Sequence, residues 1–256
     1  MSSLGDVLEL IFARPDPAVS VHAVVHEQRD REVADRVGEQ FIKDQPGLRS
    51  VPKIVWIMSI PALAVATWKS LGEKVRRRRS VSEPGRDSEL TVWLDASGRA
   101  RVERTWQTNG GRQRLTAVGA IGFPRREGDE RLVEPEWSGP RGQTARWPAP
   151  TVNDVERLFS HGLLRDIVAC LELTTPREDE IAGRPVVVVQ ATRRRPDVLW
   201  PHWLPFGADS YELSFDREFG SLLAFRACAD DYVYESVGVT EIAYGAPIDQ
   251  RLLDLP

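Results

Sequence analysis

Hydrophobic and polar residues alternate through much of this chain at the two-residue period of half-buried strands. Leu90, Val92 and Leu94 fall on one face of Glu89–Asp95, with Thr91 and Trp93 on the other. Ala96-Ser97-Gly98 turns the chain, and Ala100–Thr108 then sets Val102, Arg104 and Trp106 against Arg101, Glu103 and Gln107. Asn109-Gly110 is a strong hairpin signal because both residues tolerate positive φ, and Gln113–Ala120 returns as the next strand. Near the C-terminus, Tyr211, Leu213 and Phe215 share one side of Ser210–Asp216, and Ser221–Cys228, Tyr232–Val237 and Gly238–Tyr244 follow. Valine-rich runs at Ala18–His26 and Val186–Gln190 read as further strands. Short strands at such regular spacing predict a barrel or a strongly curved sheet.

Two segments carry helical spacing instead. Asp30–Lys43 places Val33, Val37, Phe41 and Ile42 near one face, with Asp30 as a cap and Pro46-Gly47 as a stop. Thr151–Leu171 is the stronger helix. Thr151 or Asn153 can cap it, Asp154 and Glu156 suit its N-terminal end, and Val155, Leu158, Phe159, Ile167 and Leu171 form its apolar face. His161-Gly162 is a point where it divides. The segments Arg76–Ser88, Phe123–Pro150 and Arg193–Gly207 are rich in charge, glycine or proline; the first reads as a loop or strand edge, the second as a long surface excursion with room for one strand, and the third as a loop. Glu178-Asp179-Glu180 reads as a solvated turn, and Glu180–Pro185 as the turn region before the next strand.

Ile54–Trp68 is uncharged and apolar but divided by Pro61. It falls short of the roughly 20 residues that a membrane span needs. It reads as buried core, or as an anchor flanked by Lys74 and Arg76–Arg79.

Composition narrows the classes. Of 256 residues, 41% are hydrophobic, enough for a core, and the expectation is one domain over residues 1–256. A net charge of −4 argues against a general nucleic-acid binder. Met1–Glu9 has no basic stretch followed by an apolar run, so no secretory signal is expected and the location is cytoplasmic as the sequence stands. Cys170 and Cys228 read as small buried hydrophobes, and a disulfide between them would matter only in an oxidising compartment.

Catalytic and metal chemistry finds little support. There is no Gly-x-Ser-x-Gly, and the adjacency of Ser160 and His161 does not make a nucleophile and base. His22 and His26 would share a helix face, but on a valine-rich strand they stand about 13 Å apart, too far for one metal. Gly110-Gly111 and Gly119–Gly122 open no helix, so they are not phosphate cradles. No cofactor and no metal are expected. Arg76, Arg77, Arg78 and Arg79 are candidate contacts for an anion or a lipid head group, as is the run Arg193–Arg195. The eight tryptophans fill a core or line a concave apolar site.

The stretch from Glu180 to Val188 (Glu-Ile-Ala-Gly-Arg-Pro-Val-Val-Val), then Leu204–Leu213, Phe215–Leu223 and Val239–Ile242, resembles actinobacterial proteins of the LolA/RseB-like superfamily, the lipoprotein carriers and sigma-factor regulators. The resemblance covers about residues 155–255, and more weakly the strands from Glu89 to Thr108. It implies an α+β fold, mainly antiparallel β: an incomplete half-barrel or curved sheet with helices packed on it or plugging it. It implies a non-enzymatic binding protein whose concave face takes an acyl chain, another lipid or an apolar peptide. The predicted sheet faces make Val92, Leu94, Val102, Trp106, Tyr211, Leu213 and Phe215 the candidate lining. The other reading is a protein-interaction or regulatory module without a small-molecule ligand. Family precedent is exported or membrane-associated, and contact with a membrane surface could run through Arg76–Arg79.

Overall fold

The computed structural model of the chain describes residues 4–13, 19–44, 87–108, 111–120, 131–132, 136–137, 153–174, 176–194, 204–205 and 207–253. Among these residues twelve strands form one antiparallel sheet. They are β1 (Val21–Arg29), β2 (Asp87–Leu94), β3 (Arg99–Thr108), β4 (Gly111–Ala120), β5 (Arg131–Leu132), β6 (Glu136–Trp137), β7 (Leu171–Leu173), β8 (Arg177–Ile181), β9 (Arg184–Arg193), β10 (Ser210–Asp216), β11 (Leu222–Ala229) and β12 (Tyr232–Tyr244). The described helices are α1 (Leu4–Ala13), α2 (Arg31–Asp44), α3 (Asn153–Phe159) and α4 (His161–Ala169).

The spatial order is β5-β4-β3-β2-β1-β12-β11-β10-β9-β7, with β6 also on β4 and β8 also on β9. The runs β1–β4 and β8–β12 each pair strands adjacent in sequence, and the pairing of β1 with β12 joins the two halves. The path has two free ends, so the described sheet is open, as the expectation of an incomplete barrel required.

Register explains which side chains meet. Val21, Leu94 and Ala100 lie opposite one another, as do Ala23, Val92, Val102 and Ala117. A third row runs across both halves: Trp106, Ser88, Glu27, Val237, Phe225, Leu213 and Val189. These rows form the inner face. Ile11 of α1, Leu158 and Phe159 of α3, and Leu164, Ile167 and Val168 of α4 pack into the same apolar cluster. Helix α2 is capped by Asp30, whose carboxylate accepts from the Val33 N–H at 3.3 Å.

Four elements differ from the sequence expectation. The segments expected as Tyr232–Val237 and Gly238–Tyr244 are one thirteen-residue strand, β12. Gly238 stays in the ladder, paired with His26 and Ala224. The irregularity falls instead at Thr240, the extra residue opposite Val24 and Val25, and a bulge bends a strand without ending it. The long helix divides at Ser160, one residue before the His161-Gly162 break expected from the sequence, a pair that instead opens α4, and it ends at Ala169. Leu171–Leu173 then pairs with β9, whose edge offers unmet backbone partners. Glu178–Glu180 is not a turn: it lies in β8, paired with Pro185–Val187, and the turn is only Ala182-Gly183. Charged residues suit such an outer strand because they discourage pairing with another chain. Helix α1 was not anticipated.

Cys170 and Cys228 are free. Cys170 precedes β7, while Cys228 lies on β11, with β9 and β10 between. Three strand spacings of about 4.8 Å put their backbones well beyond the reach of a disulfide.

Candidate functional site

All seven candidate lining residues lie on the inner face, and the register gathers them from both halves of the sheet. Val92, Val102, Tyr211, Leu213 and Phe215 are 0% exposed, Trp106 4% and Leu94 6%. A residue with no exposed surface borders no water-sized void, so the face is closely packed at these positions. Tyr211 is also fixed at its polar end, where its hydroxyl donates to the Pro205 carbonyl at 2.7 Å. Arg76–Arg79 and Ile54–Trp68 lie outside the described residues.

A polar island sits within this apolar face. Glu27 follows Val21, Ala23 and Val25 at the two-residue period, so it faces inward with them. Arg104 stands between Val102 and Trp106 on β3 for the same reason. Helix α3 brings Arg157 over the sheet. The Glu27 carboxylate accepts from Arg104 at 2.9 Å and Ser88 Oγ at 3.0 Å through one oxygen, and from Arg157 at 2.9 Å through the other. Arg157 also lies over the Phe225 ring, 5.0 Å from its centroid. Its Nε is buried without a hydrogen-bond partner among the described residues. Burial pushes the Glu27 carboxyl up, but the guanidiniums of Arg104 and Arg157 and the hydrogen bond from Ser88 outweigh it and hold the group below the ordinary glutamate value. The side chains of Glu27, Arg104 and Arg157 remain 14, 19 and 14% exposed, so the island still meets solvent.

The sequence carried a signal for two of these residues. A charged residue of each sign interrupts an otherwise apolar two-residue run, Glu27 on one strand and Arg104 on another. Arg157 carried none, because its partner lies 130 positions away.

The remaining sequence candidates lie elsewhere. Trp93 is on the outer face and stacks on His22, with ring centroids 5.5 Å apart. His22 and His26 sit on β1, and no group of three metal-ligating side chains occurs among the described residues. His161 is buried, and its Nε2–H donates to the Phe219 carbonyl at 2.7 Å, tying α4 to the turn between β10 and β11. Ser160 precedes α4 in an extended conformation and makes no side-chain cap. Of the arginine run near residue 194, Arg193 lies over the Phe41 ring of α2, 4.5 Å from its centroid. No described helix is long and apolar enough to cross a membrane.

No protein-family profile matches the sequence, and no curated protein matches it. Solved structures do. The chain is similar to one chain of the Pseudomonas aeruginosa MucA/MucB complex at 14% identity and a TM-score of 0.39, covering 97% of this chain and 58% of that one. A LolA superfamily protein from Nitrosomonas europaea matches at 7% identity and a TM-score of 0.29, covering 100% and 99%. A putative outer membrane lipoprotein-sorting protein domain from Vibrio parahaemolyticus matches at 8% and 0.21, covering 97% and 95%. The present chain thus spans little more than half of the MucA/MucB chain it matches.

Proposed function

We propose that this chain is a non-enzymatic binding protein that receives an acyl chain, a lipid or another apolar ligand between its inner sheet face and the helices that cover it. One observation carries the reading. Among the described residues the apolar cluster of the inner face is completed by short helices of ten, fourteen, seven and nine residues, through Ile11, Ala34, Leu158, Leu164 and Ile167, rather than by a second sheet. Helices of this length are marginal on their own and hold their place through the apolar surface they bury. A ligand that supplies equivalent surface can replace part of that cover at little net cost, because apolar burial is non-directional and scales with area. The sheet itself is held by backbone ladders and keeps its form meanwhile.

Native mass spectrometry of the protein purified from its own host, followed by lipid extraction, tests this. The expected result is a stoichiometric lipid-bearing species, or uptake of added fatty acid by the free protein. A clean mass with no uptake would sink the reading. It would favour a protein-interaction module, for which the exposed Tyr232 and Val233 at the tip of the β11–β12 hairpin are the motivating feature.

A further inference from the structure

From the polar island we infer a second component of the ligand: an oxyanion head group, received by Arg157 and Arg104 while the apolar chain runs along the inner face. The inference rests on the apolar-binding reading above. Two guanidiniums from different elements, α3 and β3, converge with the Ser88 hydroxyl on one carboxylate. That carboxylate is the protein's own Glu27, and it occupies the place of an incoming anion. Guanidinium forks match carboxylate and phosphate oxygens alike, and such bonds strengthen where water is scarce. Among the described residues the buried Nε–H of Arg157 has no acceptor, and a second oxyanion would satisfy it. The surroundings suit an amphiphile. The island meets solvent, while six residues along β1 from Glu27 to Val21 the face becomes wholly apolar, with Val92, Val102 and Leu94 opposite. That path is about 20 Å long, close to the reach of an extended hexadecyl chain.

Glu27 therefore acts as an internal competitor for the head-group site. In the free protein it neutralises the guanidiniums. In the complex it shares or yields Arg157.

The test compares hexadecanoate, hexadecyl phosphate and neutral hexadecanol binding to the full chain by titration calorimetry, with native mass spectrometry for stoichiometry. Hexadecanoate or hexadecyl phosphate binds about ten-fold more tightly than hexadecanol, a gap of one charge-assisted contact; whichever anion leads names the source of the head group. Arg157→Gln narrows the gap to below two-fold, and Arg157→Lys, which keeps the charge, restores part of it. Glu27→Gln widens it by removing the competitor. Circular dichroism confirms that each variant is folded. Equal affinity for all three probes, or a gap that Arg157→Gln leaves intact, overturns the head-group site while the apolar-binding reading stands. If none of the three binds, that reading fails and takes this inference with it.

Discussion

At the residue scale, the two-residue hairpin loops show where local conformation and residue type disagree. Ala182 and Gly183 join β8 to β9, with φ of 52° and 73°. Both positive values match the primed turn that strand twist favours. Glycine accommodates this freely, but the Cβ of alanine crowds the following carbonyl oxygen, at a cost of roughly 1–2 kcal/mol. Ala182→Asn is expected to raise stability by about 0.5–1 kcal/mol, since asparagine tolerates this region. Gly183→Ala, where an added Cβ meets nothing within 4 Å, is expected to lower it by about 1–2 kcal/mol through backbone strain alone. Urea midpoints should move in these opposite directions with unchanged slopes. Asp230 and Asp231 repeat the pattern between β11 and β12, with φ of 48° and 63°.

At the element scale, two contacts decide how loops and helices sit on the sheet. Gly207 precedes β10 at φ of 79° and lies so close to α2 that a Cβ there would fall 2.6 Å from the Val37 carbonyl oxygen. Backbone cannot yield as a flexible side chain can. Gly207→Ala is expected to cost on the order of 3 kcal/mol from overpacking and strain together, and to raise hydrogen exchange in α2 more than in β9–β11. Uniform exchange changes across both would count against a local clash. The second contact is Asp216, which is fully buried at the end of β10. Its carboxylate accepts from Arg184 at 2.8 and 3.1 Å and from the backbone N–H groups of Glu218 and Phe219 at 2.8 and 2.9 Å. Arg184 also lies against Phe219 and Tyr244, whose rings stack. The Asp216 carboxylate thus joins Arg184 to the turn from Arg217 to Gly220. Asp216→Ala, which leaves Arg184 only Glu218 and strands two backbone donors, is expected to cost about 3 kcal/mol in a thermal or urea melt; Asp216→Asn, which keeps an acceptor, should cost visibly less.

At the scale of the whole molecule, buried titratable groups set the pH limits of the fold. Glu27 is held below its ordinary value of 4.5, so its stabilising contribution is present above that pH and is lost as pH falls through the depressed folded value. At neutral pH, Glu27→Gln is expected to cost on the order of 2 kcal/mol, less than for a fully buried pair because solvent reaches all three side chains. The difference between wild type and Glu27→Gln should shrink below pH 4.5; a constant difference from pH 7 to 3 would show that charge is not its source. On the alkaline side, burial pushes the hydroxyls of Tyr211, Tyr234 and Tyr244 above the ordinary value of 10.0. The unfolded chain ionises first, so stability is intact below pH 10 and falls as pH rises beyond it.

The inner face was legible from the sequence because its cause is local. Side chains of an extended chain alternate with a period of two, so Leu90, Val92 and Leu94 face together whatever lies beyond them. The same rule placed Arg104 inward with Val102 and Trp106, whereas Glu27 lay one residue past the strand drawn from the sequence and faces inward because β1 runs on to Arg29. Valine-rich β9 and the alternating β10 were equally plain. Where a pattern ended was less so. Gly238 looked like a boundary, yet the ladder with β1 and β11 carries β12 through it. Leu171 looked helical, but the edge of β9 claimed it. The charges of Glu178–Glu180 suggested solvent, and they have it, from an outer strand rather than a turn.

What the sequence alone determined is the set of residues that face the interior, since that follows from backbone geometry within a few positions. What only the tertiary structure decided is what they face. The union of β1 with β12 joins positions 21 and 244. The helices that fill the inner face come from both sides of a long intervening stretch of chain. The pairing of Glu27 with Arg104 and Arg157 spans 77 and 130 positions. Such contacts have no period to read. They arise when a buried charge, costly to leave unpaired, finds its partners only after the sheet has brought distant strands together.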